Sequence, residues 1–114
     1  MDASSDACFV GNLLSLPRGG QEEERFEDIL SRPGIRLERI VSHGQTTPVD
    51  RPYVQDWDEW VMILEGSAEL WLDGLGKRSL SKGDHLLIPS GQAHRVTYTA
   101  EPTVWLALHL PAAG

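Results

Sequence analysis

One cysteine, Cys8, is all that 114 residues contain. That excludes an internal disulfide and a cysteine-based zinc site, and Cys8 reads as a small residue beside an apolar patch. Positive charge is scarce too. Ten Lys and Arg stand against seventeen Asp and Glu, for a net charge of −7, and the acids crowd toward the N-terminal quarter. Lys77, Arg78 and Lys82 are the nearest thing to a basic cluster and read as a solvated hairpin end, which excludes a nucleic-acid partner. No apolar run approaches the roughly 20 residues that cross a bilayer, so no membrane partner is expected. The start of the chain lacks the basic region and apolar segment of a signal peptide, which makes the cytoplasm the expected location. Also missing are a glycine loop opening a helix to cradle phosphate, a serine with His and acid neighbours in sequence, internal repeats and low-complexity segments.

What is present suits one soluble globular domain, with 40% hydrophobic residues and ordinary charge density. Residues 1–7 read as frayed, and Phe9 to Leu16 as a short strand or extended arm able to cover a sheet edge. Gln21 to Ser31 is predicted to be a helix. Glu22, Glu23 and Glu24 suit its N-terminal dipole, Pro33-Gly34 stops it, and Phe26, Ile29 and Leu30 share one face at helical spacing. From Ile35 onward the reading is β. Strands are expected at Ile35 to His43, Glu59 to Leu64, Ala68 to Leu72, Arg78 to Leu80, His85 to Ile88, Arg95 to Tyr98 and Thr103 to His109. A long loop spans residues 45–58, and Asp73-Gly74 is a hairpin signal. Many short strands with Gly and Pro turns mean a sandwich or barrel.

The chemistry gathers on two stretches. Gly83-Asp-His-Leu-Leu-Ile-Pro-Ser-Gly-Gln-Ala-His94 reads as a turn, a short strand, a Pro-x-Gly corner and a His that opens the next strand. Glu59-Trp-Val-Met-Ile-Leu-Glu-Gly66 is a β-run headed by an acid and closed by a glycine. Together they resemble the paired motifs of the cupin family, at Glu59 and Gly66 for the first motif and at Gly83, Pro89, Gly91 and His94 for the second. The resemblance spans about residues 35 to 110. It implies an all-β, double-stranded β-helix (jelly-roll) barrel over 35–114, with residues 1–34 forming an arm and a short helix packed on its outside.

The resemblance also implies a divalent metal held by His-x-His, a Glu and the second-motif His. Here Tyr53 and Gln55 stand at the first two positions, and Tyr98 replaces the Asn that often ends the second motif. Gln55, Glu59 and His94 remain as an O/O/N set suited to Mn, Fe, Ni or Zn, with no basis for choosing among them. Two other readings stay open: a buried network joining Glu59 to Tyr53, Gln55 or His94, and an organic anion held by His94. Strand alternation turns Glu59, Val61 and Ile63 inward and Trp60, Met62 and Leu64 outward, and likewise sends His94, Val96 and Tyr98 inward. Tyr53, Trp57 and Tyr98 are expected to shape the pocket, with Trp57 as a lid and His43 at its rim. His85 is expected on the outer face, and the facing of His109 is open. Trp60, Trp71 and Trp105 read as packing.

The expected function is binding of a divalent metal and a small polar ligand inside the barrel. Catalysis is left open, and the alternative is a metal-free ligand-binding or regulatory module without turnover. An enzyme of this kind would be a metal-assisted dioxygenase or isomerase, by fold analogy alone. The outward Trp60, Met62 and Leu64, with the apolar arm, lead to the expectation of a homodimer.

Overall fold

The computed structural model describes residues 8–16 and 22–113; the stretch read as frayed and Gln21 of the expected helix lie outside them. Eight strands follow in order: β1 Arg25–Arg32, β2 Ile35–Ser42, β3 Asp58–Glu65, β4 Ser67–Leu72, β5 Gly76–Ser81, β6 His85–Ile88, β7 His94–Thr99 and β8 Thr103–Leu110. They form two antiparallel sheets, one of five strands in the order β1-β2-β8-β3-β6 and one of three in the order β5-β4-β7. Among the described residues there is no helix long and apolar enough to cross a membrane.

The expected helix is instead strand β1. Pro33 and Gly34 close a two-residue turn between the paired Arg32 and Ile35, and β1 then runs antiparallel to β2 as far as Arg25 opposite Val41. A turn that returns the chain at once onto a β-rich partner offers a ladder of hydrogen bonds, which overrides the weak helical preference of a short acidic segment. The i, i+3, i+4 spacing of Phe26, Ile29 and Leu30 has another origin. The register slips between Asp28 and Leu30, so Ile29 is an extra residue in a bulge.

Residues 8–16 form an arm without strand pairing. Arg39, on the outer face of β2, donates through Nη1 to the carbonyls of Leu13 (3.0 Å) and Ser15 (2.9 Å), and through Nε to Glu27 Oε1 at 2.8 Å. One buried guanidinium thus holds the arm and β1 together.

The core lies between the sheets. Val61, Ile63, Ala68, Leu70, Leu80, Ile88, Trp105 and Ala107 form one buried cluster. Alternation along β3 is as expected: Glu59, Val61 and Ile63 are buried, while Trp60, Met62 and Leu64 are half-buried on the other face. Fully burying a side chain such as Ile63 contributes about 1.5–3 kcal/mol.

Candidate functional site

Pairing across the five-stranded sheet aligns side chains in rows. Arg36 of β2 stands opposite His109 of β8, His109 opposite Glu59 of β3, and Glu59 opposite Ile88 of β6. Strand partners on one face sit close enough to touch, so this row carries three polar groups side by side. Two residues further along lies the row Glu38, Ala107, Val61 and Leu86. A cavity of about 210 Å³ opens between the sheets over these rows. Val61, Leu70, Ile88 and Trp105 of the core cluster form its apolar floor, and Glu24, Arg36, Glu38, Glu59, His94 and His109 ring it with charge or imidazole.

The long loop 45–57 reaches the cavity because β7 captures it. Thr47 N–H donates to the Val96 carbonyl at 2.8 Å, and Thr47 Oγ1 accepts from Val96 N–H at 3.0 Å. Tyr53 and His94 exchange both backbone bonds, at 2.8 and 3.0 Å, and Gly91 N–H donates to the Gln55 carbonyl at 2.7 Å. The Pro89-to-His94 corner therefore aligns Tyr53 and Gln55 beside His94, whose ring lies 5.6 Å from that of Tyr53. Gly91 has a φ of 82° with open space around its missing Cβ, so it is the backbone conformation that calls for glycine there.

His94 is 4% exposed, and its Nδ1 lies 3.0 Å from the Gln92 carbonyl. A carbonyl only accepts, so Nδ1 carries the proton and Nε2 is left bare in the neutral ring. Glu59 is 8% exposed, and no hydrogen bond or ion pair reaches its carboxylate among the described residues. The alternative network from Glu59 to Tyr53, Gln55 or His94 is therefore not formed among the described residues. Burial first, then the charges of Glu24 and Glu59, hold the Tyr53 hydroxyl above its ordinary value of 10.0, partly offset by the Thr47 side chain.

His109, whose facing was open, points into the cavity wall with the opposite tautomer. Trp57 Nε1, a donor only, gives its proton to His109 Nδ1 at 3.0 Å, so Nε2–H donates to Glu38 Oε1 at 3.0 Å. Further along β8, Trp105 Nε1 donates to Ser42 Oγ at 3.1 Å, and Ser42 in turn donates to Glu24.

Of the expected site residues, Gln55, Glu59, His94 and Tyr53 line the one cavity, whereas Trp57, Tyr98 and His43 do not. Trp57 is not a lid; its indole is spent on His109, which it meets edge-on at 6.1 Å. Tyr98 is exposed because Thr97 is an extra residue in a bulge opposite Glu69 and Leu70, which reverses the alternation of β7. His43 lies just past β2, where its N–H donates to Gln45 Oε1. His85 is exposed on the outer face, 3.3 Å from Trp60 Nε1, as expected.

Glu24, Arg36, Glu38 and Trp105 escaped the sequence reading as site residues, and whether His109 joins the site was open there. Glu24 sat inside the supposed helix. Arg36 and Glu38 did leave a signal: charged residues at every second position of a strand that also carries Ile40 and Ser42.

The donors decide whether the metal implied by the resemblance fits. Among the described residues no group of three or more His, Cys, Asp or Glu side chains is placed to hold a metal ion. Glu38 is engaged by His109 and Glu24 by Ser42, leaving Glu59, His94 and the neutral amide of Gln55. Two strong donors fall short of the three protein ligands typical of a catalytic zinc site, so these residues do not make a resident-metal site.

Two facing antiparallel sheets enclosing a side-chain-lined cavity define a small jelly-roll barrel of the kind that carries ligand sites in its interior. The cupin-domain family model matches residues 38–109, and the chain belongs to the cupin family. A protein from Ralstonia eutropha JMP134, provisionally assigned as a mannose-6-phosphate isomerase, is 41% identical, with a TM-score of 0.86 over 91% of this chain and 99% of that one. A conserved Streptococcus pyogenes protein of unknown function is 18% identical, with a TM-score of 0.74 over 94% of this chain and 90% of that one. A cupin superfamily protein from Desulfitobacterium hafniense DCB-2 is 16% identical, with a TM-score of 0.71 over 83% of this chain and 84% of that one. No curated protein sequence matches the chain.

Proposed function

We propose that this chain is a small-ligand-binding cupin module, in which Glu59 and His94 grip the polar group of a small molecule and the apolar floor takes its body. One observation carries the reading: a buried carboxylate without a partner and a buried imidazole with a bare Nε2 line the same cavity. Both groups present hydrogen-bonding atoms to the cavity that no side chain of the described residues occupies, and a ligand can bond them. Gln55 and Tyr53 add an amide and a hydroxyl at the rim. The relative's provisional assignment would bring a phosphorylated sugar. Against it, three carboxylates and one guanidinium line the cavity among the described residues, and that guanidinium, Arg36, lies 3.8 Å from Asp28 and 4.0 Å from Glu38. The test is a thermal-shift screen of small polar molecules against wild type and His94→Ala. A ligand of this cavity raises the wild-type midpoint and not that of the variant; equal shifts in both would reject the site.

A weakly held divalent ion is the second reading, favoured by His94 itself. An imidazole whose Nδ1–H is fixed on a carbonyl presents Nε2 as a metal ligand does. On this reading Mn²⁺, Ni²⁺ or Zn²⁺ raises the melting midpoint at about pH 7.5 and loses most of that effect near about pH 5.5, because binding must displace protons from its ligands. His94→Ala abolishes the shift and His85→Ala keeps it.

The same proposal includes a homodimer. Phe26, Ile29, Leu30 and Ile35 are exposed along β1 and its turn, and Phe9, Val10 and Leu14 are exposed on the arm. β1 is also an edge strand of its sheet.

A further inference from the structure

The cavity holds more negative charge than its surroundings neutralise. Of the three carboxylates that line it among the described residues, only Glu38 is ion-paired or bonded to an imidazole, by Arg36 and His109; Glu59 meets His109 only as its strand partner. Glu24 has a single hydroxyl donor, Ser42, and no ion pair among the described residues; Glu59 has neither. Among the described residues no lysine lines the cavity, and Arg36 is its only arginine. Phe26, Tyr53 and Trp105 line the same cavity as these two acids. Both acids line the cavity together with Tyr53, whose hydroxyl is held above its ordinary value by burial first and then by their charges.

We propose that the cavity recognises a small organic cation, an alkylammonium group with a short apolar or hydroxylated body, held between Glu24 and Glu59 against the aromatic wall. This rests on the small-ligand reading of the same site and adds the charge of the ligand. Carboxylates in a half-enclosed cavity attract a cation far more strongly than in water, and aromatic faces add their own attraction. A cavity of about 210 Å³ admits a group of this size and leaves the floor of Val61, Leu70 and Ile88 for its methyl or methylene carbons. An anion at the same place would meet two carboxylates without an ion pair, while Arg36, whose Nε is buried without a hydrogen-bond partner, has Asp28 and Glu38 at 3.8 and 4.0 Å as its counter-charges.

The experiment is titration calorimetry on the full chain with three sets of probes. The cations are choline and butylammonium; the neutral controls are 3,3-dimethylbutanol, the carbon isostere of choline, and butanol, in which a hydroxyl replaces the ammonium; the anions are inorganic phosphate and mannose 6-phosphate. A cation is expected to bind about tenfold more tightly than its neutral control, and the anions not at all. Glu24→Gln and Glu59→Gln should each remove most of that preference, yet melt no lower than wild type, because each loses an unneutralised charge. A neutral or anionic probe binding as well as the cations overturns the charge inference and leaves the small-ligand reading standing. Undiminished choline binding by both Gln variants also overturns it. Binding by no probe of any charge defeats the small-ligand reading and this inference with it.

Discussion

His94 and His109 are both buried in the wall of one cavity, yet their surroundings assign them opposite work. His94 gives its Nδ1 proton to a carbonyl and keeps Nε2 bare, whereas His109 has both nitrogens occupied, by Trp57 and Glu38. The first is equipped to meet a ligand and the second to fix Glu38 and the Trp57 loop. Trp57→Phe leaves a buried acceptor without its donor and should cost about 1–3 kcal/mol in urea denaturation. A change below about 0.5 kcal/mol would show that the indole bond does not hold the loop. Tyr53 supplies a pH test. The folded chain holds the Tyr53 proton more tightly than the unfolded chain does. The stability this contributes is therefore full below about pH 10 and is lost as pH rises through the higher folded value. Melting midpoints compared between about pH 9 and about pH 11 should fall more steeply in wild type than in Tyr53→Phe. Parallel falls would contradict the described surroundings of the hydroxyl.

At the scale of elements, the corner after β6 and the turn after β3 both need glycine, for different reasons. Gly91 needs only its left-handed backbone. Gly66 has a φ of 84°, and a Cβ there would lie 2.5 Å from the Pro102 carbonyl and 2.9 Å from Thr103. Gly91→Ala is therefore expected to cost about 1 kcal/mol, and Gly66→Ala clearly more, about 2–4 kcal/mol with the backbone clash added. Equal costs would mean that the β3–β4 turn does not press on the strand leading into β8. These two glycines, the strands from Ile35 onward and the inward set Glu59, Val61 and Ile63 were legible because period-2 alternation and turn residues act locally. The segment before Ile35 was not. Phe26, Ile29 and Leu30 mimic a helical stripe only because a bulge at Ile29 interrupts the alternation, and a bulge is set by the partner strand. The misplaced Tyr98 has the same cause, an unannounced extra residue at Thr97.

For the molecule as a whole, the site was legible where one motif carried it and hidden where three segments converge. Glu59 and His94 follow from the two motifs. Glu24, Glu38 and His109 come from the segment before β1, from β2 and from β8, and only the sheet order brings them to one cavity. The exposed apolar row on β1 leads to a prediction at this scale. Light scattering at micromolar concentration should give a dimer, and Leu30→Lys, which puts a charge on the edge strand, should shift it toward monomer. A wild-type monomer would reject the proposed association.

The claim on which everything else depends is that His94 is a ligand-facing imidazole and His109 a structural one. Nitrogen-15 NMR of the four imidazoles reads this directly. In the free protein His94 should show a protonated Nδ1 and a bare Nε2, and His109 the reverse. Adding the tightest binder found in the screens should move the His94 Nε2 resonance and leave both nitrogens of His109 in place. An Nε2-protonated His94, or a bound ligand that shifts His109 and not His94, would contradict the account.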